Sequence, residues 1–403
     1  VAWLLVAAAG LAAWLRAAWV GILTDRAVER LPDVPPDPPP GGWPALTVVV
    51  PARDEARGVE AAVDSLLAQD YPGIRVVAVD DRSTDGTGAI LDRLAAGEER
   101  LRVVHVTGLP PGWLGKNHAC ALGAEAAAGG WLLFTDGDVV FAPGALRRAV
   151  AWAEARGLGH AVALPRLVAP GLLERAFVST FAALVNPVFR TWELSRPGTR
   201  AYVGIGAFNL VRRDAYLRTG GHRRLALEAV DDVKLGIVLR RSGVPQGAID
   251  SGGLVSVRWN AGFAASWMGL VKNSFAGTEY RWGVALASAA ALLATTTGPA
   301  LAALLAQGAA ARAVGLAGWL VGAAVVGTVA RRFGGGSGLE GLLLPLTGAA
   351  LAGVVLTSAA VTTLRGGIVW RGTRYPLAAL RAGCVRERDW PPGAAVGWDR
   401  PSC

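Results

Sequence analysis

The sequence predicts an α/β domain on a mostly parallel sheet, flanked by apolar helices. Three observations predict it. Short β-rich runs alternate with helical spacings from Leu46 to Phe134, acidic clusters follow the apolar runs, and long uncharged stretches lie near both ends of the chain. Of 403 residues, 52% are hydrophobic and 18% charged. That is too apolar for an ordinary soluble enzyme and too charged for an all-membrane bundle, so one polar domain with several membrane segments is expected. The net charge of +9 is almost all arginine, with lysine only at Lys116, Lys234 and Lys272. Alanine, glycine and arginine are all in excess, which points to a GC-rich genome, so nucleic acid is not the expected partner. A basic face toward anionic lipid fits better. Cys120, Cys384 and Cys403 have no metal-ligand spacing and no disulfide framework, which suits a cytosolic domain.

The elements follow in order. Residues 1–23 are apolar apart from Arg16 and are long enough to span a bilayer. They are read as an anchor rather than a removed signal peptide, because no small-residue cleavage site follows. Arg26 and Arg30 then place the next domain on the cytoplasmic side. Residues 24–45 form a proline-rich linker, expected to be stiff and to hold the domain off the anchor. Strands are expected at Leu46 to Val50, Ile74 to Val79, Leu101 to Val106 and Trp131 to Phe134. Helices are expected at Ala56 to Gln69, Gly86 to Ala96 and Lys116 to Ala128. Such alternation implies right-handed crossovers and ligands at the carboxyl ends of the strands. The catalytic domain is bounded at 46–281. Within it, the amphipathic stretch near 170–194 is read as an interfacial helix, a core-facing helix being the alternative. Three hydrophobic segments occupy 282–364, and a basic tail 365–403. Three full crossings would put Arg365, Arg371 and Arg374 outside, against the charge rule, so one segment is expected to be re-entrant or interfacial.

The chemistry sits at the strand ends. Asp136-Gly137-Asp138 offers two carboxylates that can reach a divalent cation, Mg²⁺ or Mn²⁺, together with a phosphorylated donor. Asp80, in Val79-Asp80-Asp81-Arg82-Ser83-Thr84-Asp85-Gly86-Thr87, can accept the imide N–H of uracil, while Ser83 to Asp85 cap the next helix. Pro51, Arg53, Asp54 and Glu55 would line the nucleoside. Lys116, at a helix start, can approach a diphosphate. His118 and Cys120 are set aside as a base and nucleophile pair.

These strings, with Val50-Pro51-Ala52-Arg53-Asp54-Glu55 and Phe134-Thr135-Asp136-Gly137-Asp138, resemble the family 2 glycosyltransferases from about Leu46 to Asn273. The resemblance implies a GT-A fold (a Rossmann-like sheet) and inverting transfer of a hexose from a UDP-sugar. By the same resemblance, Asp80 and Asp81 meet the nucleotide, Asp136 the donor and Asp138 the metal. Pro110 to Ala119 is similar to membrane-bound members that glycosylate a hydroxyl or carboxyl of carotenoid, hopanoid-associated, ceramide or glycerolipid acceptors. Glu228-Ala229-Val230-Asp231-Asp232 resembles the acidic pair of the family, which makes Asp232 the general base with Asp231 beside it. Gly204 and Gly206 fall in an acceptor-side loop. Val255-Ser256-Val257-Arg258-Trp259 keeps the Arg-Trp end of a motif found in processive members. This places Arg258 at the diphosphate and Trp259 at the acceptor, but Val255 replaces the leading polar residue, which disfavours polymer synthesis. The alternatives are a polyprenyl-phosphate sugar synthase, a processive polysaccharide synthase and, outside enzymes, a transporter or flippase subunit. The expected setting is a multi-pass cell-membrane protein in contact with the lipid bilayer, its catalytic domain cytoplasmic.

Overall fold

The computed structural model describes residues 1–386 except 197 and 259–261. In chain order the elements begin with α1 (Ala2–Ala27), β1 (Leu46–Ala52), α2 (Val59–Leu67), β2 (Ile74–Asp81), α3 (Thr87–Ala95) and β3 (Leu101–Val106). Next come α4 (Gly115–Glu125), β4 (Trp131–Phe134), β5 (Val139–Phe141), α5 (Ala145–Ala155), β6 (His160–Leu164), β7 (Arg166–Leu167) and α6 (Leu172–Phe189). They are followed by β8 (Asn209–Arg212), α7 (Arg213–Thr219), α8 (Asp231–Arg241), β9 (Gln246–Asp250), β10 (Val255–Val257) and α9 (Phe263–Gly277). The chain continues through α10 (Trp282–Leu292), a π-helical turn (Leu293–Thr297), α11 (Gly298–Leu305), α12 (Ala309–Gly334) and α13 (Leu344–Leu364). A hairpin of β11 (Gly367–Trp370) and β12 (Thr373–Pro376) then leads to α14 (Leu377–Gly383). Contacts divide the chain into two discontinuous units. The sheet unit is Val28–Arg166, Thr191–Val257 and the stretch from Ala382; the helical unit is Val1–Ala27, Leu167–Arg190 and Arg258–Arg381.

In the sheet unit, seven strands run in the order β3-β2-β1-β4-β8-β6-β9. All neighbours are parallel except where β8 pairs antiparallel with β4 and with β6. The core follows from the β-branched and aromatic runs. Val48 to Val50, Val76 to Val79 and Trp131 to Phe134 are buried on both faces, as crossover helices require of a parallel sheet. Gly123 lets α4 settle on the sheet, because a Cβ there would meet Val49 at 2.3 Å. The proline-rich segment does not stand free as a stiff spacer would. Leu31 is fully buried, Asp250 donates its backbone N–H to Glu29, and Arg148 bonds the Pro32 and Val34 carbonyls. Burial of Val28 and Leu31 outweighs the extended preference of the prolines around them.

In the helical unit, five helices among the described residues are long and apolar enough to cross a membrane: Ala2–Ala27, Leu172–Glu193, Trp282–Leu305, Ala309–Gly334 and Leu339–Leu364. Small residues set their contacts. Gly318 and Gly322 of α12 meet Leu11 and Trp14 of α1, and Arg332 pairs with Asp25, so α1 and α12 run parallel. Val6 lies against Gly298, Gly10 against Pro299, and the Trp14 indole donates to the Thr295 carbonyl at 2.8 Å, so α10 and α11 run the opposite way. Thr296 touches Gly348 and the Trp282 indole donates to Thr363 Oγ1 at 3.0 Å, so α13 is antiparallel to α10 and parallel to α1 and α12.

Two successive parallel helices need a return segment. Residues 335–343 supply it by running back along α12. Gly338 lies against Gly327, Gly341 against Ala323, and Leu344 against Gly322, about 18 Å short of the α12 C-terminus. Helix α13 therefore starts part-way down the bundle. Helix α6 lies across the end where α1 and α12 finish. Its Arg175 bonds Glu340 at 2.6 Å beside Gly334, and its Asn186 donates to Thr24 Oγ1 at 3.1 Å.

Candidate active site

Two loops at the carboxyl edge of the sheet are laced together. After β1, Asp54 takes a left-handed conformation (φ 55°) and donates its N–H to Ser83 Oγ. Its carboxylate accepts from the Thr84 N–H at 2.8 Å, while Glu55 and Ala56 donate their N–H groups to Thr87 and Asp85. Asp54 thus latches the two loops together. Asp80 is similarly engaged: Oδ1 accepts from the Ser83 N–H at 3.2 Å, and Oδ2 lies 3.0 Å from His105 and against Gly88. Asp81 faces the other way. It is buried, gripped by both ends of the Arg82 guanidinium, 3.6 Å from Arg53, and set against Gly115 at the start of α4. Pro51 pairs in register with Val79, and Glu55 reaches Gly137. Of the two, the carboxylate turned toward the α4 terminus is that of Asp81.

The first turns of α4 and α8 meet beneath β4. Fully buried Asn117 donates to the Leu225 and Glu228 carbonyls, pinning the α4 terminus to the loop before α8. Lys116 then reaches Asp136 at 2.7 Å and Asp231 at 3.9 Å. Glycines bring the rest together. A Cβ at Gly204 would lie 1.7 Å from the Asp232 carbonyl oxygen, and one at Gly206 would lie 2.7 Å from Asp136 Oδ2. The Gly206 N–H donates to Asp232 Oδ2 at 2.9 Å. Gly204 and Gly206 are thus small to let α8 close, which brings Asp232 to the Asp136 edge.

Electrostatics separates the carboxylates. Burial, then Asp136 and Glu55, pushes Asp138 up to about 7. Burial, then the neighbouring Asp231 and Asp136, pushes Asp232 up to about 6. Burial acts on Asp231 too, but Lys116 and His222 hold it below the ordinary carboxylate range. Burial opposes the Lys116 charge, yet Asp136, Asp231 and Asp232 keep its ammonium well above its usual value. Of two adjacent carboxylates, one is a fixed anion and the other is poised to take a proton. Burial pushes the Cys120 thiol well up, which makes it inert as a nucleophile.

Most of the expected residues therefore converge: Arg53, Glu55, Asp81, Lys116, Asp136, Asp138, Asp231 and Asp232. Arg258 is exposed and is the first residue of the helical unit's last segment, and Trp259 lies outside the described residues. Sequence reading missed buried His222 and Tyr216, whose only signal was the Gly220-Gly221 pair just before His222.

Residues 47–220 match the family model "Glycosyl transferase family 2". That stretch of the chain is similar to this family. It is 26% identical over 239 residues to a 4,4'-diaponeurosporenoate glycosyltransferase of Staphylococcus aureus, covering 57% of this chain and 60% of that relative's length. In fold it is similar to a mannosyltransferase of Pyrobaculum calidifontis solved with GDP-Man and Mn²⁺. The TM-score is 0.56 at 21% identity, over 90% of this chain and 99% of that one. The sheet is thus of the GT-A type expected.

Proposed function

We propose that this chain transfers a hexose, with inversion and with a divalent metal, from a UDP-sugar to a hydroxyl or carboxyl of a membrane lipid. The observation that carries the reading is Asp232, held by the Gly206 N–H at the edge of Asp136 and kept proton-accepting near pH 6. Asp136 and Asp138, with Glu55 near, offer a set of oxygen ligands suited to Mg²⁺ or Mn²⁺. The fit is supported by Asp138 itself, whose carboxylate is raised by burial and then by the charges of Asp136 and Glu55, a cluster that a cation would relieve. Such a metal would stabilise the leaving diphosphate as a Lewis acid. Lys116 and the α4 terminus would hold the phosphates, and Asp81 with Arg53 would face the nucleoside. Asp232 would accept the acceptor's proton.

A lipid acceptor is supported by the apolar helices and by the relative from Staphylococcus aureus, whose name gives a carotenoid acid as substrate. The course of the helical unit supports an orientation. Helices α1, α12 and α13 finish at one end of the helical unit, whose own segments break off after α1, on either side of α6, before α9 and within α14. Arg26, Arg331, Arg332, Arg365, Arg371 and Arg374 follow or sit at those helix ends. At the opposite end, in the α11–α12 turn, Arg312 is the basic residue among those described. By the charge rule the basic end is cytoplasmic, and so are the catalytic residues. Residues 335–364 then enter the bilayer and return on the same side, which leaves the basic tail inside, and α6 lies at the interface.

Membranes containing the protein, incubated with radiolabelled UDP-sugars, should yield a labelled lipid in the presence of Mn²⁺ or Mg²⁺. Label in a water-soluble polymer, or no transfer from any nucleotide sugar, would overturn the reading. For the orientation, Arg371→Cys in a cysteine-free chain should react with an impermeant maleimide in inside-out vesicles only. Reaction in right-side-out vesicles would mean that 339–364 crosses completely.

A further inference from the structure

His222 is fully buried and belongs to no role assigned above. Its place is specified with some care. Gly220 and Gly221 both take positive φ (81° and 45°), and a Cβ at Gly221 would strike the Tyr216 ring at 2.2 Å. The glycine pair therefore folds the chain back over Tyr216. The ring of Phe134, at the end of β4, packs edge-on against the His222 imidazole with centroids 4.7 Å apart.

The hydrogen bonds accommodate the tautomer that carries its proton on Nε2. The Tyr216 hydroxyl accepts the His222 backbone N–H at 3.1 Å, so its single proton is free to go to His222 Nδ1, 3.0 Å away. In that tautomer Nδ1 is the acceptor and Nε2 bears the hydrogen. Nε2 lies 3.7 Å from Asp231 Oδ2, while Asp231 Oδ1 lies 3.9 Å from Lys116 Nζ, which in turn pairs with Asp136 at 2.7 Å. The result is a line of polar groups, Tyr216, His222, Asp231, Lys116 and Asp136, that ends at the carboxylate of the Asp136-Gly137-Asp138 turn.

We infer that His222 is a positioning residue, which orients Asp231 so that this carboxylate steers Lys116 onto the donor side of the site and leaves Asp232 as the proton acceptor. The inference rests on the transferase reading above and deepens it. The division of labour follows from geometry. Asp231 is flanked by an N–H donor and an ammonium, whereas Asp232 accepts from the Gly206 and Val233 N–H groups beside Asp136. A buried carboxylate needs such partners to stay charged, and Lys116 needs that charge to hold one rotamer.

A different reading of the same atoms is a metal centre, because ligand atoms of Cys120, His222 and Asp231 lie within 4.8 Å of one another. The geometry disfavours it. Tyr216 claims one nitrogen, the Lys116 ammonium stands 3.9 Å from Asp231, and the Cys120 thiol is buried. A fixed positive charge at that distance competes with any cation.

The test compares His222→Phe, His222→Gln and the wild type as full chains in detergent. It measures the Kd for UDP with Mn²⁺ by calorimetry, kcat and KM for donor and acceptor, and bound zinc. With the imidazole gone from beside Asp231, His222→Phe should weaken UDP binding and raise the donor KM by about 10-fold or more, leaving the acceptor KM unchanged. His222→Gln, whose amide N–H reaches as the imidazole Nε2–H does, should restore most of the loss. A merely structural role would be exposed by equal loss in Phe and Gln variants. Unchanged binding in His222→Phe, or one equivalent of zinc in the wild type that is lost in His222→Phe, would overturn the inference. Calorimetry reads donor binding without turnover, so a wild type that binds UDP but transfers nothing would fail the transferase reading and leave this one standing or falling on the Kd values.

Discussion

The sheet unit and the helical unit use their glycines and their charges in opposite ways. In the sheet unit, glycines at 204 and 206 let a helix terminus close on a loop, and charges crowd together at a strand edge. In the helical unit, glycines at 318, 322, 327 and 341 let helix backbones touch, and fully buried Glu340 is paired with Arg175. The first kind of close approach concentrates unsatisfied charge, which is what chemistry needs. The second removes space, which is what packing in lipid needs, since apolar surface alone gives no drive there. Loss of a sheet-unit carboxylate should therefore cost activity and little stability, and loss of a helical-unit contact should do the reverse.

The largest effect should come from the site carboxylates. Asp232→Asn and Asp138→Ala should each lower transfer by about 10²-fold to 10⁴-fold while leaving the melting profile unchanged. They should differ in donor affinity, which Asp138→Ala weakens in the presence of metal and Asp232→Asn spares. If either variant melts early, the contrast between the units is wrong. Next is the buried pair. Glu340→Gln leaves Arg175 without its countercharge and the Ser337 and Gly338 N–H groups with a weaker acceptor, so thermal unfolding in detergent should show a loss of about 3 kcal/mol. UDP binding measured below the transition should be unaltered.

Comparable in size but hidden until the pH changes is His160, fully buried between β6 and β8 with Nε2 on Asn209 at 2.5 Å. Burial lowers it from 6.5 to about 4. The unfolded chain therefore takes up a proton first as pH falls, so stability is full above pH 6.5 and declines toward pH 4. The loss is about 3 kcal/mol and should be absent in His160→Gln. Urea unfolding at pH 7.5 and pH 4.5 measures it, and equal stabilities would contradict the assignment. The smallest effect is at the hairpin, where Lys272 lies 3.6 Å from the Trp370 ring centre. Lys272→Met should cost about 1 kcal/mol and speed hydrogen exchange at 367–376 without touching turnover.

What the sequence disclosed divides along the same line. The strands at Leu101 to Val106 and Trp131 to Phe134 were legible to the residue, because their signal is local burial. The carboxylates at 136 and 138 stand out because they directly follow such a strand, whereas Asp232, in the first turn of α8, stands out only through the family resemblance. The contacts of Asp54 and Asp80 were not legible. Each looks like a ligand in the linear chain and is engaged by Ser83, Thr84 or His105 only once two loops meet. His222 was invisible for the same reason, as its partner Tyr216 is reached through a backbone reversal at Gly220 and Gly221. The direction of α13 was beyond any hydropathy reading. Its composition resembles that of a full span, and only the backbone contacts of Gly338 and Gly341 with α12 reveal that it begins half-way.

The fragment after α14 gives the molecule a timetable. Val385 donates its N–H to Glu228 at 3.0 Å and its carbonyl accepts from Lys234 at 2.6 Å, so buried charges flanking α8 find partners on a stretch translated after every helix through Leu364. These contacts, beside the helix bearing Asp231 and Asp232, therefore form only after the helices through Leu364 have been translated. A nascent chain released earlier would carry a sheet but neither of these contacts. Synthesis order thus delays these two contacts at α8 until the helices have been made.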